Sequence, residues 1–337
     1  MIKMLLFDFR EQEKQFFETP NHKDFDITFY SHKLNENTEL TQEECDETEV
    51  LSVFVCSNLT EKVINKFKNL RIIATRSTGY NHIDIDACVK RNIAVVNVEG
   101  YGKSSVAQYT IGAIIGLVRN FNISIRDFKE EKIDYNKYTG YDLSELSLGV
   151  IGTGSIGSAV CQIADKFKMH IFAYDIKYNS EISDFVDYVS LEDLYKHSNI
   201  ITLHIPYIPE FYHMIGKEEF DLMTDGVYLI NTSRGELIDN AALYNAVKSG
   251  KVKGAALDVL ECENLNMYPD DVINIVKESS CDCLGSAIIN QKLISEPNII
   301  ITPHIAYNTY QSINIILEKT FNNIKACLKG RCSERVV

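Results

Sequence analysis

Charged residues follow apolar stretches at three places in the C-terminal half of the sequence. The stretch "LINTSR" ends at Arg234, "ALDVLECE" contains the acids Asp258, Glu261 and Glu263, and "IIITPH" ends at His304. If each apolar stretch is a parallel strand, these residues lie at carboxyl ends of strands, where α/β sheets bind their ligands. An arginine, a carboxylate and an imidazole there could bind a carboxylate group, orient the imidazole and transfer a proton. Taken singly, each is more commonly a surface charge, a loop acid or a loop histidine.

A glycine-rich pattern, "GTGSIG", begins at Gly152 and continues through Gly154 to Gly157, between a strand-like and a helical stretch. In that context the three glycines permit a tight turn, the approach of backbone to a pyrophosphate, and close helix packing. The N-terminus of the following helix attracts the phosphate groups. Asp175 closes the next strand-like stretch, where a carboxylate accepts hydrogen bonds from ribose hydroxyls and repels a 2′-phosphate. The pattern predicts binding of NAD rather than NADP, with a purely structural turn as the alternative.

Strand-like and helical stretches alternate along the chain and predict the elements that position these residues. In the first hundred residues the strand-like stretches are 3–9, 50–56, 70–77 and 93–98. After a long apolar helix at about 104–128, six more follow at 146–152, 169–175, 199–206, 225–233, 253–260 and 298–304. This alternation predicts two α/β units with parallel, helix-covered sheets, of which the second has six strands. The stretch 264–297 is predicted to be a mixed helix and loop segment.

Composition excludes several classes of protein. The 337 residues are enough for two domains, and 47 Asp and Glu against 34 Lys and Arg give a net charge of -13. That charge would repel phosphate backbones and anionic lipids, so we expect neither nucleic acid nor membrane as a partner. The first apolar stretch is too short for a signal peptide, which predicts a cytoplasmic protein. Nine cysteines without repeating spacing, of which Cys281 and Cys283 are the nearest pair, predict reduced thiols and no metal site.

Seven stretches, in order and over nearly the whole chain, resemble the motifs of a known family. They are "STGYNHID" (77–84), "VIGTGSIG" (150–157), "FAYDIK" (172–177), "LHIPY" (203–207), "YLINTSRGELID" (228–239), "ALDVLECE" (256–263) and "NIIITPHIAYNT" (298–309). The family is that of the D-isomer-specific 2-hydroxyacid dehydrogenases, and the sequence is most similar to its D-lactate dehydrogenase branch.

The resemblance implies an α/β protein with two Rossmann-like domains. Residues 102–304 would form an NAD-binding domain with a six-stranded parallel sheet. Residues 1–101 and 305–337 would form a smaller, flavodoxin-like substrate domain, with the active site in the cleft between the two. The family resemblance also implies a homodimer formed through the NAD-binding domain.

The implied reaction is the reversible, NADH-dependent reduction of a 2-oxo acid, pyruvate in the first instance, to the D-2-hydroxy acid. Arg234 would bind the substrate carboxylate bidentately and polarise the 2-oxo group. His304 would donate a proton to the carbonyl oxygen, and Glu263 would orient the imidazole and favour its charged form. Glu261 matches no assigned position and is interpreted as a solvated loop charge.

The other binding positions also come from the resemblance. Thr78 and Gly79 match the turn whose N–H groups hold the substrate carboxylate. Tyr101 and Tyr307 match aromatic positions that face the substrate, although either tyrosine also fits a core position. Asp258 matches the position that contacts the nicotinamide carboxamide. The remaining cofactor contacts would be Thr153, Ile156, Ile176, Pro206 and Thr232.

The sequence departs from the family at the hinge and in the helix that follows it. The family often has proline and alanine before the hinge tyrosine, where this chain has Glu99 and Gly100. It often has Ser-Pro after that tyrosine, where this chain has Gly102 and Lys103. Gln108 replaces the usual acid. These changes affect the mouth of the pocket and its closure rather than the chemistry.

Two other functions fit the same motifs. One is a dehydrogenase for a larger 2-oxo acid, such as 2-oxoisocaproate or phenylpyruvate. The other is an NAD-sensing protein of the co-repressor type, because that fold also serves in binding proteins. Pyruvate reduction is the expected activity.

Overall fold

A computed structural model describes residues 1–17, 23–263, 281–332 and 335–337. Within them the chain forms two compact units, Met1–Tyr101 with Asn308–Val337, and Gly102–Tyr307. The strands are β1 Ile2–Leu6, β2 Phe25–Phe29, β3 Val50–Val53, β4 Ile72–Thr75, β5 Ala94–Val96, β6 Ser147–Ile151, β7 His170–Tyr174, β8 Asp187–Tyr188, β9 Ile200–Leu203, β10 Val227–Asn231, β11 Val252–Leu257 and β12 Ile299–Ile301. The helices are α1 Lys14–Phe17, α2 Gln42–Glu47, α3 Glu61–Ile64, α4 Ile85–Lys90, α5 Lys103–Val118, α6 Phe121–Lys129, α7 Ser155–Lys166, α8 Leu191–His197, α9 Lys217–Leu222, α10 Asn240–Ser249, α11 Cys281–Ile294 and α12 Tyr310–Leu328. Short 3₁₀ helices lie at Glu11–Glu13, Tyr135–Lys137, Leu143–Glu145, Pro209–Phe211 and Gly235–Leu237.

The first unit contains a parallel sheet whose described strands follow the order β2-β1-β3-β4-β5. This is the order of flavodoxin-like folds. Along β1, Met4 and Leu6 belong to the apolar cluster that includes Phe321 of α12, whereas Leu5 belongs to the cluster on the other face. Alternate side chains therefore fill both faces of this sheet, which helices cover. β2 was not predicted from the sequence, because it is an edge strand whose central residues are only partly buried.

The second unit contains a parallel sheet in the order β12-β11-β10-β9-β6-β7-β8. Counted from β6, the order is 3-2-1-4-5-6 with one further strand at the β12 edge, so the direction of winding changes between β6 and β9. The described residues of this unit form seven strands in the sheet, so the prediction of six is wrong by one. The seventh is β8, whose two residues pair with β7 at the opposite edge and are too few to show any periodicity.

The long apolar helix predicted at 104–128 is two helices. Asn120 has φ +53, in the left-handed region, and separates α5 from α6. Asparagine tolerates that conformation better than most residues, so it can end one helix and allow a new direction. α5 lies in the core, where its buried apolar side chains pack with those of α7. In the described part of the chain, no helix is long and apolar enough to cross a membrane.

Among the described residues, three cysteines depart from the predicted reduced state, because Cys262, Cys327 and Cys332 are disulfide-bonded. Cys327, in the last turn of α12, forms a disulfide with Cys332, and their Cα atoms are 4.2 Å apart. The chain reverses between them at Gly330, whose φ is +69, so residues five positions apart become neighbours. Cys45, Cys88 and Cys161 carry free thiols.

The stretch predicted as mixed helix and loop, 264–297, is described only in part. Its residues 281–294 form α11, whereas residues 264–280 lie outside the described residues. Cys281 belongs to α11.

Candidate active site

The glycine turn connects β6 to α7, where the direction of winding changes. Gly152 has φ +94, and a Cβ there would lie 2.7 Å from the His204 carbonyl oxygen. A Cβ on Gly157 would lie 1.8 Å from the Gly152 carbonyl oxygen, so neither position accepts a side chain. A Cβ on Gly154 would meet no atom within 4 Å, which leaves the backbone at the start of α7 open to a ligand. This shape fits a dinucleotide pyrophosphate at a helix N-terminus.

Asp175 lies directly after β7, and its carboxylate is held against the glycine turn. One oxygen accepts hydrogen bonds from the Thr153 N–H at 2.6 Å and the Thr153 hydroxyl at 3.2 Å. The other accepts from the Lys177 N–H at 2.9 Å. The acid is therefore fixed beside the turn, where adenosine ribose hydroxyls would bind, and the neighbouring Ile176 is exposed.

His304 and Glu263 form a direct pair. Nδ1 of the imidazole lies 2.9 Å from Oε1 of Glu263, and the other carboxylate oxygen lies 3.4 Å from the Leu260 N–H. His304 has φ +52, and its N–H donates to the carbonyl oxygens of Asp258 and Thr302. The carboxylate thus engages Nδ1, which leaves Nε2 as the ring nitrogen for proton exchange with a ligand.

Arg234 follows β10 and precedes the short 3₁₀ helix Gly235–Leu237. Its Nη1 donates to the Ser233 carbonyl at 2.7 Å, and its own carbonyl accepts from the Asn231 side chain at 2.8 Å. A Cβ on Gly235 would lie only 2.1 Å from the carbonyl carbon of Leu260. Because Gly235 has no side chain, the backbone beside Arg234 lies directly against the loop that carries Glu263.

A family model described as "D-isomer specific 2-hydroxyacid dehydrogenase, NAD binding domain" matches residues 111–306. The chain belongs to this family. It is an NAD-dependent dehydrogenase, and the glycine turn with Asp175 lies within the matched residues.

Relatives match over most of the chain. A 2-hydroxyacid dehydrogenase homolog of Haemophilus influenzae is 34% identical and covers 100% of this chain and 99% of its own. An aromatic 2-oxoacid reductase of Clostridium sporogenes is 35% identical over 85% of each chain. The structure of a D-lactate dehydrogenase from Aquifex aeolicus, complexed with NAD and lactic acid, is 35% identical, covers 99% of each chain and superposes with a TM-score of 0.84.

In this dehydrogenase Asp258 holds the segment that carries His304. One carboxylate oxygen accepts from the Thr302 hydroxyl at 2.6 Å and the Ile305 N–H at 3.0 Å, and the other accepts from the Ala306 N–H at 2.8 Å. Burial raises the pKa of the Asp258 carboxyl, and these hydrogen bonds oppose the rise. Both oxygens thus have donors from the protein, so Asp258 positions the segment that carries His304.

Of the remaining predicted cofactor positions, two follow neighbouring strands and one lies in α7. Pro206 follows β9 and Thr232 follows β10, while Ile156 in α7 packs partly against the core. The Thr232 hydroxyl lies 3.1 Å from that of Thr110, and Thr232 and Asp258 line a cavity of about 280 Å³. Together with the glycine turn, these positions follow the carboxyl edge of one sheet. Among the described residues, no group of three or more His, Cys, Asp or Glu could hold a metal ion.

Three residues behind the glycine turn were not predicted from the sequence. The Tyr188 hydroxyl donates to the Thr153 hydroxyl at 2.9 Å, and the Asn179 side chain donates to the Thr153 carbonyl at 3.0 Å. His204 contacts Gly152 and Gly157, and burial lowers its pKa to about 3, so it stays neutral at physiological pH. No local pattern links Tyr188 to Thr153, which lies 35 residues away, whereas His204 lies within the quoted "LHIPY" stretch.

The predicted substrate residues are distributed over both units. Thr78 and Gly79, in the first unit, lie in the turn after β4, where the Thr78 hydroxyl donates to the Val98 carbonyl at 2.9 Å. Tyr101 is the last residue of the N-terminal part of the first unit, and its carbonyl accepts from the Ser312 hydroxyl at 3.2 Å. Tyr307 belongs to the second unit and is buried.

Replacing Asp175 with alanine should weaken the preference for NADH over NADPH. The change removes a charged acceptor for the ribose and the charge that repels a 2′-phosphate, so we expect kcat/KM for NADH to fall by roughly 10-fold or more. Initial rates with each cofactor at saturating 2-oxo acid measure the ratio. Asp187→Ala, which removes an exposed acid from β8 in the same sheet, is the control. Equal use of NADPH by the unmodified protein would contradict the assignment of Asp175.

Proposed function

We propose that this dehydrogenase reduces a 2-oxo acid to the D-2-hydroxy acid with NADH and catalyses the reverse reaction, with pyruvate and D-lactate as the expected pair. The observation that carries the proposal is the 2.9 Å contact between His304 Nδ1 and Glu263 Oε1. It joins a proton-transferring group to an orienting acid at the sheet edge where Arg234 also lies. This is the arrangement that reduction of a carboxylate-bearing ketone requires.

Each group has one task in this proposal. The Arg234 guanidinium binds the substrate carboxylate and polarises the 2-oxo group. The protonated His304 gives its Nε2 proton to the 2-oxo oxygen and takes it back in the reverse direction, while Glu263 holds the ring through Nδ1. NADH, when bound, supplies the hydride that the carbonyl carbon accepts.

The two units have different roles in the proposal. The second unit, with the glycine turn and Asp175, binds the cofactor. The first unit is the substrate domain, in which the N–H groups of Thr78 and Gly79 receive the substrate carboxylate. Tyr101 and Tyr307 contact the substrate side chain.

Two kinds of 2-oxo acid, pyruvate and a larger one, are candidates for the substrate. The similarity to the Aquifex aeolicus enzyme, whose structure holds lactic acid, favours pyruvate. The similarity to an aromatic 2-oxoacid reductase favours a larger 2-oxo acid, such as phenylpyruvate or 2-oxoisocaproate. Pyruvate is the first of the two to test.

The test is the loss of NADH absorbance with pyruvate, 2-oxobutyrate, 2-oxoisocaproate, phenylpyruvate, oxaloacetate and hydroxypyruvate, followed by chiral analysis of the product. Turnover with a D-product supports the proposal, and the order of kcat/KM values identifies the substrate. NADH binding without turnover on any of these acids would contradict it and favour a sensing role.

We propose that the protein is a homodimer. Exposed apolar side chains on and after α6 support this proposal, because a monomer would leave them in water. They are Phe121, Ile125, Phe128, Ile133, Tyr135 and Tyr141. Light scattering at micromolar concentration should give twice the mass of the chain, and Phe128→Glu should lower it, whereas a monomeric unmodified protein would contradict the proposal.

A further inference from the structure

Glu261 is enclosed by hydrogen-bond donors, so its interpretation as a solvated loop charge is wrong. Only 15% of its side chain is exposed. Oε1 accepts from the Tyr212 hydroxyl at 2.8 Å. Oε2 lies 3.3 Å from Nε2 of His213 and accepts from the Ser286 hydroxyl at 3.2 Å. We call Glu261 and these three partners the Glu261 cluster.

The backbone of Glu261 is also held. Its carbonyl accepts from the Asn290 side chain at 2.9 Å, and the Asn290 side-chain oxygen accepts from Asn240 at 2.8 Å. Asn290 is fully buried and Asn240 nearly so. Buried polar groups of this kind are costly unless they are paired, so the loop has one preferred position against α11 and α10.

The partners of Glu261 are tied to the segment that carries Arg234. The His213 N–H donates to the Glu236 carbonyl at 2.8 Å, and the Ile215 N–H donates to the Leu237 carbonyl at 3.0 Å. The loop also touches this segment directly, because a Cβ on Gly235 would lie 2.2 Å from the Glu261 nitrogen. Glu261 thus joins the Arg234 segment to the loop that carries Glu263.

We propose that Glu261 is a positioning residue for the dehydrogenase reaction. It keeps Glu263, and through it His304, at a fixed position relative to Arg234. The inference rests on the proposed function of those three residues. Glu263 is two residues beyond Glu261, and the intervening Cys262 has φ +54. The loop therefore turns sharply between Glu261, which is held by hydrogen bonds, and Glu263, which contacts His304.

The hydrogen bond from Tyr212 that anchors Glu261 persists at neutral pH. Burial, and then the hydrogen bond to Glu261, raise the pKa of the Tyr212 hydroxyl to about 12. The phenol therefore remains a donor throughout the range in which the enzyme would be assayed. Losing the anchor would let Glu263 and the imidazole move relative to Arg234, and misplacement by about 1 Å can cost on the order of 100-fold in rate.

The experiment compares Glu261→Ala and Glu261→Gln with the unmodified protein and with Glu263→Gln. We expect Glu261→Ala to lower kcat by about 10- to 100-fold, with an unchanged dissociation constant for NADH, because the glycine turn and Asp175 follow other strands. Glu261→Gln should restore most of the lost kcat, since its side chain still accepts from Tyr212. Glu210→Ala, an exposed acid in the 3₁₀ helix before Tyr212, is the matched control and should be neutral.

A double-mutant cycle separates positioning from general stability. In the Glu263→Gln background, Glu261→Ala should lower kcat by much less than it does alone, because the group that it positions is already impaired. Fully additive losses, or a fall in melting temperature and NADH affinity that parallels the fall in kcat, would contradict the positioning role. The positioning role would also be contradicted if Glu261→Ala had the kcat of the unmodified protein while Glu263→Gln had a lowered kcat. An inactive unmodified protein, or an unimpaired Glu263→Gln, would contradict the proposed function instead.

Discussion

Replacing His304 with glutamine should lower kcat by roughly 10³-fold and leave the affinity for NADH nearly unchanged. Glutamine keeps a polar side chain of similar length, but it cannot donate and recover a proton at physiological pH. The glycine turn and Asp175, which we propose to bind the cofactor, lie at other strand ends and should keep their structure. Steady-state kcat with the best 2-oxo acid and fluorescence titration with NADH measure the two quantities separately.

The control for this prediction is His197→Gln, which changes a histidine at the end of α8 and should turn over normally. A His304→Gln protein that retains wild-type kcat would remove the proton-donor role. If NADH affinity fell in parallel with kcat, the histidine would contribute to cofactor binding and not mainly to proton transfer.

Replacing Arg234 with lysine should lower kcat/KM for the 2-oxo acid by roughly 100-fold or more, although the positive charge remains. A lysine ammonium cannot form the two parallel hydrogen bonds that a guanidinium makes with a carboxylate. The lost contacts bind the substrate and polarise its carbonyl, so KM should rise and kcat should fall together. Initial rates over a range of 2-oxo acid concentrations give both constants.

Chemical rescue makes the test of Arg234 more specific. Added guanidinium should partly restore kcat/KM of Arg234→Ala, whereas an equal concentration of ammonium should not, because only guanidinium reproduces the planar fork. Arg119→Lys, an exposed arginine at the end of α5, controls for a general effect of the exchange. Wild-type kcat/KM in Arg234→Lys would show that no bidentate contact is needed.

Local sequence was sufficient to predict the glycine turn and its surroundings. Gly152 and Gly157 are required because a side chain would collide with backbone that is close in sequence or in the next strand. Such constraints are visible as glycine spacing between a strand pattern and a helix pattern. The same reasoning predicted two α/β units and placed Arg234, Glu263 and His304 at strand ends.

Short strands, edge strands and the break within a helix could not be predicted from local sequence patterns. β8 has two residues, and β2 is only partly buried, so neither shows the apolar run that marks a central strand. The break at Asn120 lies within an apolar stretch, because both sides of it bury side chains. Periodicity reports burial, and it does not show where a helix changes direction.

The family, the glycine turn and the chemical groups at the strand ends could therefore be predicted from the amino-acid sequence, because each depends on short-range patterns. The separate tasks of the acids after β11 are visible only in the folded chain. Asp258 holds the His304 segment, Glu263 contacts the imidazole, and Glu261 binds Tyr212, which lies 49 residues away. These contacts follow from the strand order, because β9, β10 and β11 are neighbours in the sheet and the loops that follow them meet, although they are distant in sequence.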